Sequence, residues 1–461
     1  MSRQRAIAGL LVVCLGTIAA PLDGAVNIAF PSITARFGLE VQEIRWVAIV
    51  YVLTYASLLL VFGRLGDLLG HRIVFQVGLL TAAAGFAACG AAPTYELLLA
   101  ARVLQGVGVA LILSCAPALA TLLFQPSERT RILGIYSGMM ALGGLLGPLV
   151  GGFFVAQFGW SAVFLARAPI VLLALALSWL IPARPAAGTS SAFDFIGSVQ
   201  LALALIAILG GLSLGGGGFD RMLSPALCGL GIVLFSVFVQ RQARLASPLI
   251  RPAVLRDPSL MMMNAASVIV NLTAFAVVLI GPFYLVGIAR LQTEVAGAVL
   301  ATAALGTMVG SGFAPRVIRG IGDIQTAGLG MALSAVGLAG IAAWPDGATI
   351  PQLLPALIVQ GMGLGLFVVA YTDHVTAALP PGDRGVAGSL SMLTRSIGIV
   401  GGAAGLSHVS LTFGAQATAA GASAADAFRA GSQAVFVGAC TLNVLALAVG
   451  VGLCALRRRR A

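Results

Sequence analysis

Ala6-Ile7-Ala8-Gly9-Leu10-Leu11-Val12-Val13-Cys14-Leu15-Gly16-Thr17-Ile18-Ala19-Ala20, continued by Pro21-Leu22-Asp23-Gly24-Ala25-Val26-Asn27-Ile28-Ala29-Phe30-Pro31, decides the fold. This run contains a single charged residue, Asp23, and is longer than the roughly 20 apolar residues that cross a hydrocarbon core about 30 Å thick. Arg3 and Arg5 precede it in the manner of a secretory signal. The apolar block outruns a typical signal h-region and more blocks follow, so an uncleaved first helix is expected.

Working outward, similar blocks recur at 45–63, 73–92, 95–124, 132–156, 160–181, 195–214, 224–240, 260–286, 295–314, 325–344, 352–378, 386–411 and 432–456. Of 461 residues, 59% are hydrophobic and only 9% charged, against about a quarter charged in water-soluble domains. So few charges cannot clothe a water-exposed surface. The short alternating segments of a β-barrel are absent. The expected fold is therefore an all-α integral membrane protein of about fourteen spans. Gly215 to Gly218 and Pro225 interrupt the seventh and eighth. The six cysteines all lie inside apolar blocks without ligand-like spacing and read as small core residues.

The net charge of +11 comes from arginine alone and does not line one face, which argues against nucleic acid as a partner. Eighteen arginines fall in the N-terminal, C-terminal and alternate connecting segments, and five in the loops opposite, so both termini are expected in the cytoplasm of a cell-membrane protein. Six spans precede the polar stretch Pro182 to Ser191, two follow, and six more come after an arginine-rich connector at 241–258. That divides the chain into 1–182, a first six-helix bundle; 183–258, a linker with two extra helices; and 259–461, a second bundle. Paired bundles are the architecture of alternating-access carriers. No soluble segment is large enough for an ATPase, so an ion or substrate gradient must supply the energy. A small-molecule substrate, protons and the lipid bilayer are the expected partners of a monomer, with no cofactor and no metal.

Buried charge is the strongest pointer to function, because an ionised side chain among lipid tails costs several kcal/mol or more. At 1.5 Å per residue Asp23 sits roughly 26 Å into the first helix, and Arg102 and Arg167 enter about 10 Å from the other side. All three fall at a similar depth, where Asp23 and Arg102 can pair. The reading is that Asp23 carries the proton and Arg102 holds it ionised until substrate or conformation separates them, the alternative being a permanent structural ion pair. Arg395 lies at mid-depth in the thirteenth block and, with Asp23, Arg102 and Arg167, is assigned to proton coupling and the substrate cavity. Asp373 and His374 read as interface anchors, Asp194 as a helix cap, and His408 as a packed or interface histidine. No Ser/His/Asp grouping, metal cluster or phosphate loop is apparent. Gly361-x-Gly363 lies in an apolar block with no strand before it, so it is not a dinucleotide site.

Four segments carry a family resemblance. Gly63-Arg64-Leu65-Gly66-Asp67-Leu68-Leu69-Gly70-His71-Arg72 resembles the loop signature after the second helix in the major facilitator superfamily. It implies a gating clasp built on Gly63, Asp67, Gly70, His71 and Arg72. Arg102, Gln105, Gly106 and Gly108 resemble the RxxQGxG motif of helix 4. Gly143, Gly147, Pro148, Gly151 and Gly152 resemble the antiporter motif of helix 5, where small residues let helices approach closely. Leu22 to Pro31, with Asn27, is similar to the helix 1 motif of the fourteen-helix drug:proton antiporter branch, with Ala25 in place of threonine and Asp23 one residue nearer Asn27. Arg167 stands where that branch has asparagine, and Gly361-Met362-Gly363-Leu364-Gly365 and Leu393 to Gly398 look like its later helices. The resemblance implies proton-coupled export of small hydrophobic molecules (drugs, antibiotics or secondary metabolites). Uptake symporters of the superfamily, the alternative, generally lack the helix 5 motif.

Overall fold

A computed structural model describes residues 3–458 except 41–42, 126–127, 183–193, 214–219, 243, 246–256, 346 and 379–383. Most of the expected linker ends, at 183–193 and 246–256, therefore lie outside the described residues. Every described element is helical: α1 Arg3–Ile18, α2 Gly24–Phe37, α3 Arg45–Leu69, α4 His71–Gly90, α5 Tyr95–Leu122, α6 Arg129–Phe158, α7 Ala162–Leu165, α8 Ala168–Leu177, α9 Phe195–Ser213, α10 Asp220–Gln242, α11 Pro258–Phe283, α12 Thr293–Ile321, α13 Asp323–Ala342, α14 Ile350–Ala377, α15 Arg384–Ala419 and α16 Ala424–Arg458. Twelve stretches among them are long and apolar enough to cross a bilayer, the first running Arg3–Phe37 through α1 and α2. The apolar cores Arg45–Leu59 in α3 and Val199–Ile208 in α9 are shorter. Leu11, Trp179, Ile232, Val336 and Val449 are exposed. In water these side chains would be a liability, whereas lipid tails accept them.

The described residues fall into two compact units. One is built from α1–α8 and most of α9, the other from α11–α16, with α10 divided between them. In the first, Val13, Phe75, Leu79, Phe86 and Cys115 form a packed core. In the second, Met263, Val270, Met331, Phe367 and Val375 do so.

Glycine sets the helix spacing in both. A methyl on Gly85 would fall 2.6 Å from the Gln105 backbone, so α4 and α5 touch backbone to backbone. In α14, Gly361 and Gly365 meet Ala303 and Thr307 of α12, while Gly363 meets Gly330 and Ser334 of α13. Residues four apart share one helical face and the residue between them points away, so α14 is wedged between two neighbours.

Three sequence expectations are corrected by the backbone. The first apolar block is not one continuous helix: α1 stops at Ile18, Pro21–Asp23 form a single 3-10 turn, and α2 begins at Gly24. Proline lacks an N–H and clashes with the preceding turn, which breaks the ladder there. The sixth block is also broken, α7 ending at Leu165 and α8 starting at Ala168 with Pro169 in its first turn. Finally, the segment 63–72 is mostly helix. The α3 helix runs through Gly63 to Leu69, and the chain turns only at Gly70, whose φ of +92° suits glycine.

Candidate functional site

The two breaks have a common effect: they place a carboxylate and a guanidinium inside the first unit. Asp23 ends the 3-10 turn, and Arg167 sits in the gap between α7 and α8. The α5 helix supplies Arg102 and Gln105, three residues apart and so on one face.

Arg102 grips Asp23 with both prongs of its fork, Nη1 to Oδ1 and Nη2 to Oδ2 at 2.8 Å each. Arg167 Nη1 donates to the same Oδ1 at 2.7 Å, and Gln105 Nε2 does so at 3.1 Å. Gln105 Oε1 in turn accepts from Arg102 Nη1 at 2.8 Å and from Cys89 Sγ at 3.5 Å. Each arginine is steadied from behind, Arg102 Nε by the Val47 carbonyl at 2.8 Å and Arg167 Nε by that of Val163 at 2.9 Å.

Aromatic faces complete the walls. Tyr51 lies 4.2 Å from the Arg102 guanidinium carbon and Phe86 lies 4.5 Å from that of Arg167, with Phe164 near both. Such rings attract cations electrostatically. Side-chain exposure is 1% for Arg102, 3% for Arg167 and 17% for Asp23. The cluster therefore holds one carboxylate against two guanidinium groups, a buried excess of one positive charge. Arg167 Nη2 is buried and has no hydrogen-bond partner among the described residues. Chemically, the arrangement keeps a carboxylate locked while four donors surround it and presents surplus positive charge to whatever replaces it.

The helix 5 motif lies against this site. A methyl on Gly151 would fall 2.6 Å from Ala25 Cα, and one on Gly143 would fall 2.6 Å from Pro21. Gly147 faces Gly24 and Ala25, and Gly24 faces Pro148, so α6 rests on the break that carries Asp23. Gly152 is buried. A methyl on Gly106 would meet Thr54, bringing α5 close to α3.

The remaining expected residues are dispersed. Gly63 has Ser114 as its near neighbour, the His71 ring lies against Gly66, and Arg72 stacks on Trp179 at 5.1 Å. The side chain of Asp67 lies outside the described residues. Asn27 and Pro31 are half-buried on α2 and Arg395 is exposed on α15. Asn27 and Pro31 do not join the Asp23 cluster.

Sequence reasoning grouped Asp23, Arg102 and Arg167 at one depth as coupling or cavity residues, but paired Asp23 with Arg102 alone. It also missed Tyr51, Phe86, Cys89 and Phe164, which carry no charge and vanish among other apolar residues.

The reading of no Ser/His/Asp grouping is corrected in the second unit. His374 Nδ1 lies 2.7 Å from Asp323 Oδ2, and its Nε2 lies 3.0 Å from Ser259 Oγ. The three come from the start of α11, the start of α13 and the last turn of α14, so no sequence spacing betrays them. His374 thus bonds through both ring nitrogens. Nearby, the Tyr371 hydroxyl bonds Asn264 Oδ1 at 2.8 Å and Thr394 Oγ1 at 3.2 Å, and Thr394 bonds Ser267 at 2.9 Å. Asp194 Oδ1 accepts from Gly197 N at 2.9 Å, and His408 is exposed.

Among known proteins, the chain is 30% identical over 417 residues to the puromycin resistance protein pur8 of Streptomyces alboniger, covering 87% of this chain and 81% of that protein. It is 26% identical over 403 residues to the riboflavin transporter RibZ of Clostridioides difficile (strain 630), covering 86% of each. A solved structure of the POT family transporter PepTSo superposes with a TM-score of 0.74 over 100% of this chain and 99% of that one. At 14% identity that likeness speaks to fold alone. Residues 12–403 match the model of the Major Facilitator Superfamily, and this multi-pass membrane transporter of small molecules belongs to that family.

Proposed function

We propose that this carrier expels small hydrophobic molecules across the cell membrane in exchange for protons, by alternating access between two six-helix bundles at 1–182 and 259–461. The observation that carries the reading is the buried carboxylate of Asp23, clamped by Arg102 and Arg167 at a helix break that the helix 5 motif braces. Asp23 exchanges its proton when movement parts it from the two arginines. The surplus positive charge favours neutral, zwitterionic or anionic substrates over lipophilic cations, which it repels. The resemblance to a puromycin resistance protein supports the outward direction, since a carrier confers resistance only by moving a toxic compound away from its target.

On this reading the protein acts as a monomer with fourteen spans. The 25-residue α3 and 19-residue α9 supply the two whose apolar cores are short, at 183–258 the extra pair joins the bundles, and the arginine bias puts both termini in the cytoplasm. Uptake is the second reading, and direction of flux separates the two.

In everted membrane vesicles carrying a pH-sensitive dye, adding a transported dye, antibiotic or amphipathic anion is expected to dissipate an imposed proton gradient. Asp23→Asn is expected to abolish that response. Equal dissipation by native and variant protein would remove Asp23 from the coupling. Substrate accumulation driven in the opposite sense would favour uptake.

A further inference from the structure

The second unit contains a titratable group that the Asp23 cluster does not use. His374 has both ring nitrogens engaged, one on a carboxylate and the other on a hydroxyl, and the three partners tie three helix ends together. Each is suited to its end. Asp323 opens α13, where the helix dipole favours negative charge, and His374 lies in the last turn of α14, where it favours positive charge. Ser259 is the second residue of α11. Side-chain exposures of 14% for His374 and 31% for Asp323 leave both partly open at the helix ends.

Protonation changes this clasp without dismantling it. With the ring neutral, Nδ1–H donates to Asp323, and Nε2 accepts from the Ser259 hydroxyl. With the ring charged, both nitrogens donate, Ser259 turns to acceptor, and the contact with Asp323 becomes an ion pair. Histidine is the side chain that ordinarily changes charge between pH 5 and 8.

Other charges at this end act elsewhere. Asp257 accepts from Ser259 N of its own helix, Arg319 donates to the Pro315 carbonyl of its own helix, and Arg316 and Asp373 are exposed. On α15, Arg395 is exposed, and the Arg384 side chain, like those from residue 454 onward on α16, lies outside the described residues. Among the described residues the ion-pair partner of His374 is Asp323.

Since α13 and α14 are already locked by Gly330 and Gly363, the end left to move is that of α11. We propose that His374, held between Asp323 and Ser259, is a proton-binding site whose charged form fastens the start of α11 to the α13–α14 pair and whose neutral form lets it loosen. Its place in the transport cycle rests on the proton-exchange reading; the binding of the proton does not.

The sign follows from the Ser259 contact, because a charged imidazolium donates a charge-assisted bond to Ser259 Oγ that is stronger than the bond the neutral ring accepts. The extra attraction is present at acid pH and lost as pH rises through the histidine range, so opening increases toward alkaline pH. One-proton linkage limits that increase to about tenfold per pH unit.

The test is amide hydrogen exchange of the full chain in lipid nanodiscs between pH 5.5 and 8, corrected for intrinsic exchange and read over residues 257–262, 323–328 and 371–378. In the native protein, protection of these segments is expected to fall as pH rises. His374→Gln, which keeps a hydrogen-bonding side chain but cannot titrate in this range, is expected to flatten the profile. Asp323→Asn keeps the histidine but removes the anion it contacts, and is expected to lower the protection of residues 323–328. A native profile that is flat, or a His374→Gln profile that matches a sloping native one, overturns the proposal. Because neither substrate nor gradient is present, a clear histidine-dependent profile beside a silent vesicle assay would sink proton exchange while leaving this site standing.

Discussion

Asp23→Asn is expected to lower the stability of the first unit steeply, and adding Arg167→Asn is expected to restore much of what is lost. In the native cluster one carboxylate faces two guanidinium groups that are 1% and 3% exposed. Neutralising that carboxylate leaves both cations buried without an anion, and breaking a buried ion pair from one side costs on the order of 3–5 kcal/mol. Removing Arg167 as well returns the cluster to a single surplus positive charge, with Arg102 still held by the Val47 carbonyl and Gln105. Thermal unfolding of purified native, single and double variants measures this as a double-mutant cycle. Strictly additive losses would mean that the residues do not form one electrostatic unit. The double variant also serves the vesicle experiment, since a folded protein without Asp23 separates lost coupling from lost structure.

Gly151→Val is expected to impair both folding and transport, although position 151 carries no chemistry. The new Cβ would sit 2.6 Å from Ala25 Cα and 3.0 Å from its carbonyl oxygen, and those atoms belong to the first turn of α2. Backbone in a helix cannot step aside as a side chain can, so α6 must move away from the break that presents Asp23. Overpacking of this kind costs about 1–3 kcal/mol. Gly144→Ala is the matched control, because a methyl there meets no atom within 4 Å. Native unfolding temperature and native transport in Gly151→Val would show that this close approach is not what the helix 5 motif provides.

Membrane class and the position of almost every helix were legible from apolar block length, because lipid imposes that signal on each span separately. Arg102 and Gln105 were legible as a pair for the same local reason, being one helical turn apart. Arg167 was legible as a residue at the depth of Asp23 but not as its direct partner, because that contact depends on two chain breaks and joins segments 144 residues apart in sequence. Hydropathy registers how apolar a residue is and not where the backbone turns, so Pro21 and Pro169 passed unread inside apolar runs. The 63–72 segment misled in the opposite way. Its charges and glycines suggested a loop, yet within a helix such residues are tolerated until Gly70 needs a left-handed angle. The His374 clasp was invisible because helix parity puts its three members at one end of the bundle only once all the turns between them are known.

The glycine contacts on either side of α14 have a mechanical consequence. Side-chain interfaces slip, since rotamers can exchange partners at modest cost. Main chain pressed on main chain has no such freedom, so α12, α13 and α14 behave as a laminated board whose plies cannot shear. Any travel that one of these helices makes during turnover is imposed on the other two, which makes the trio a lever and leaves bending to the joints at its edges.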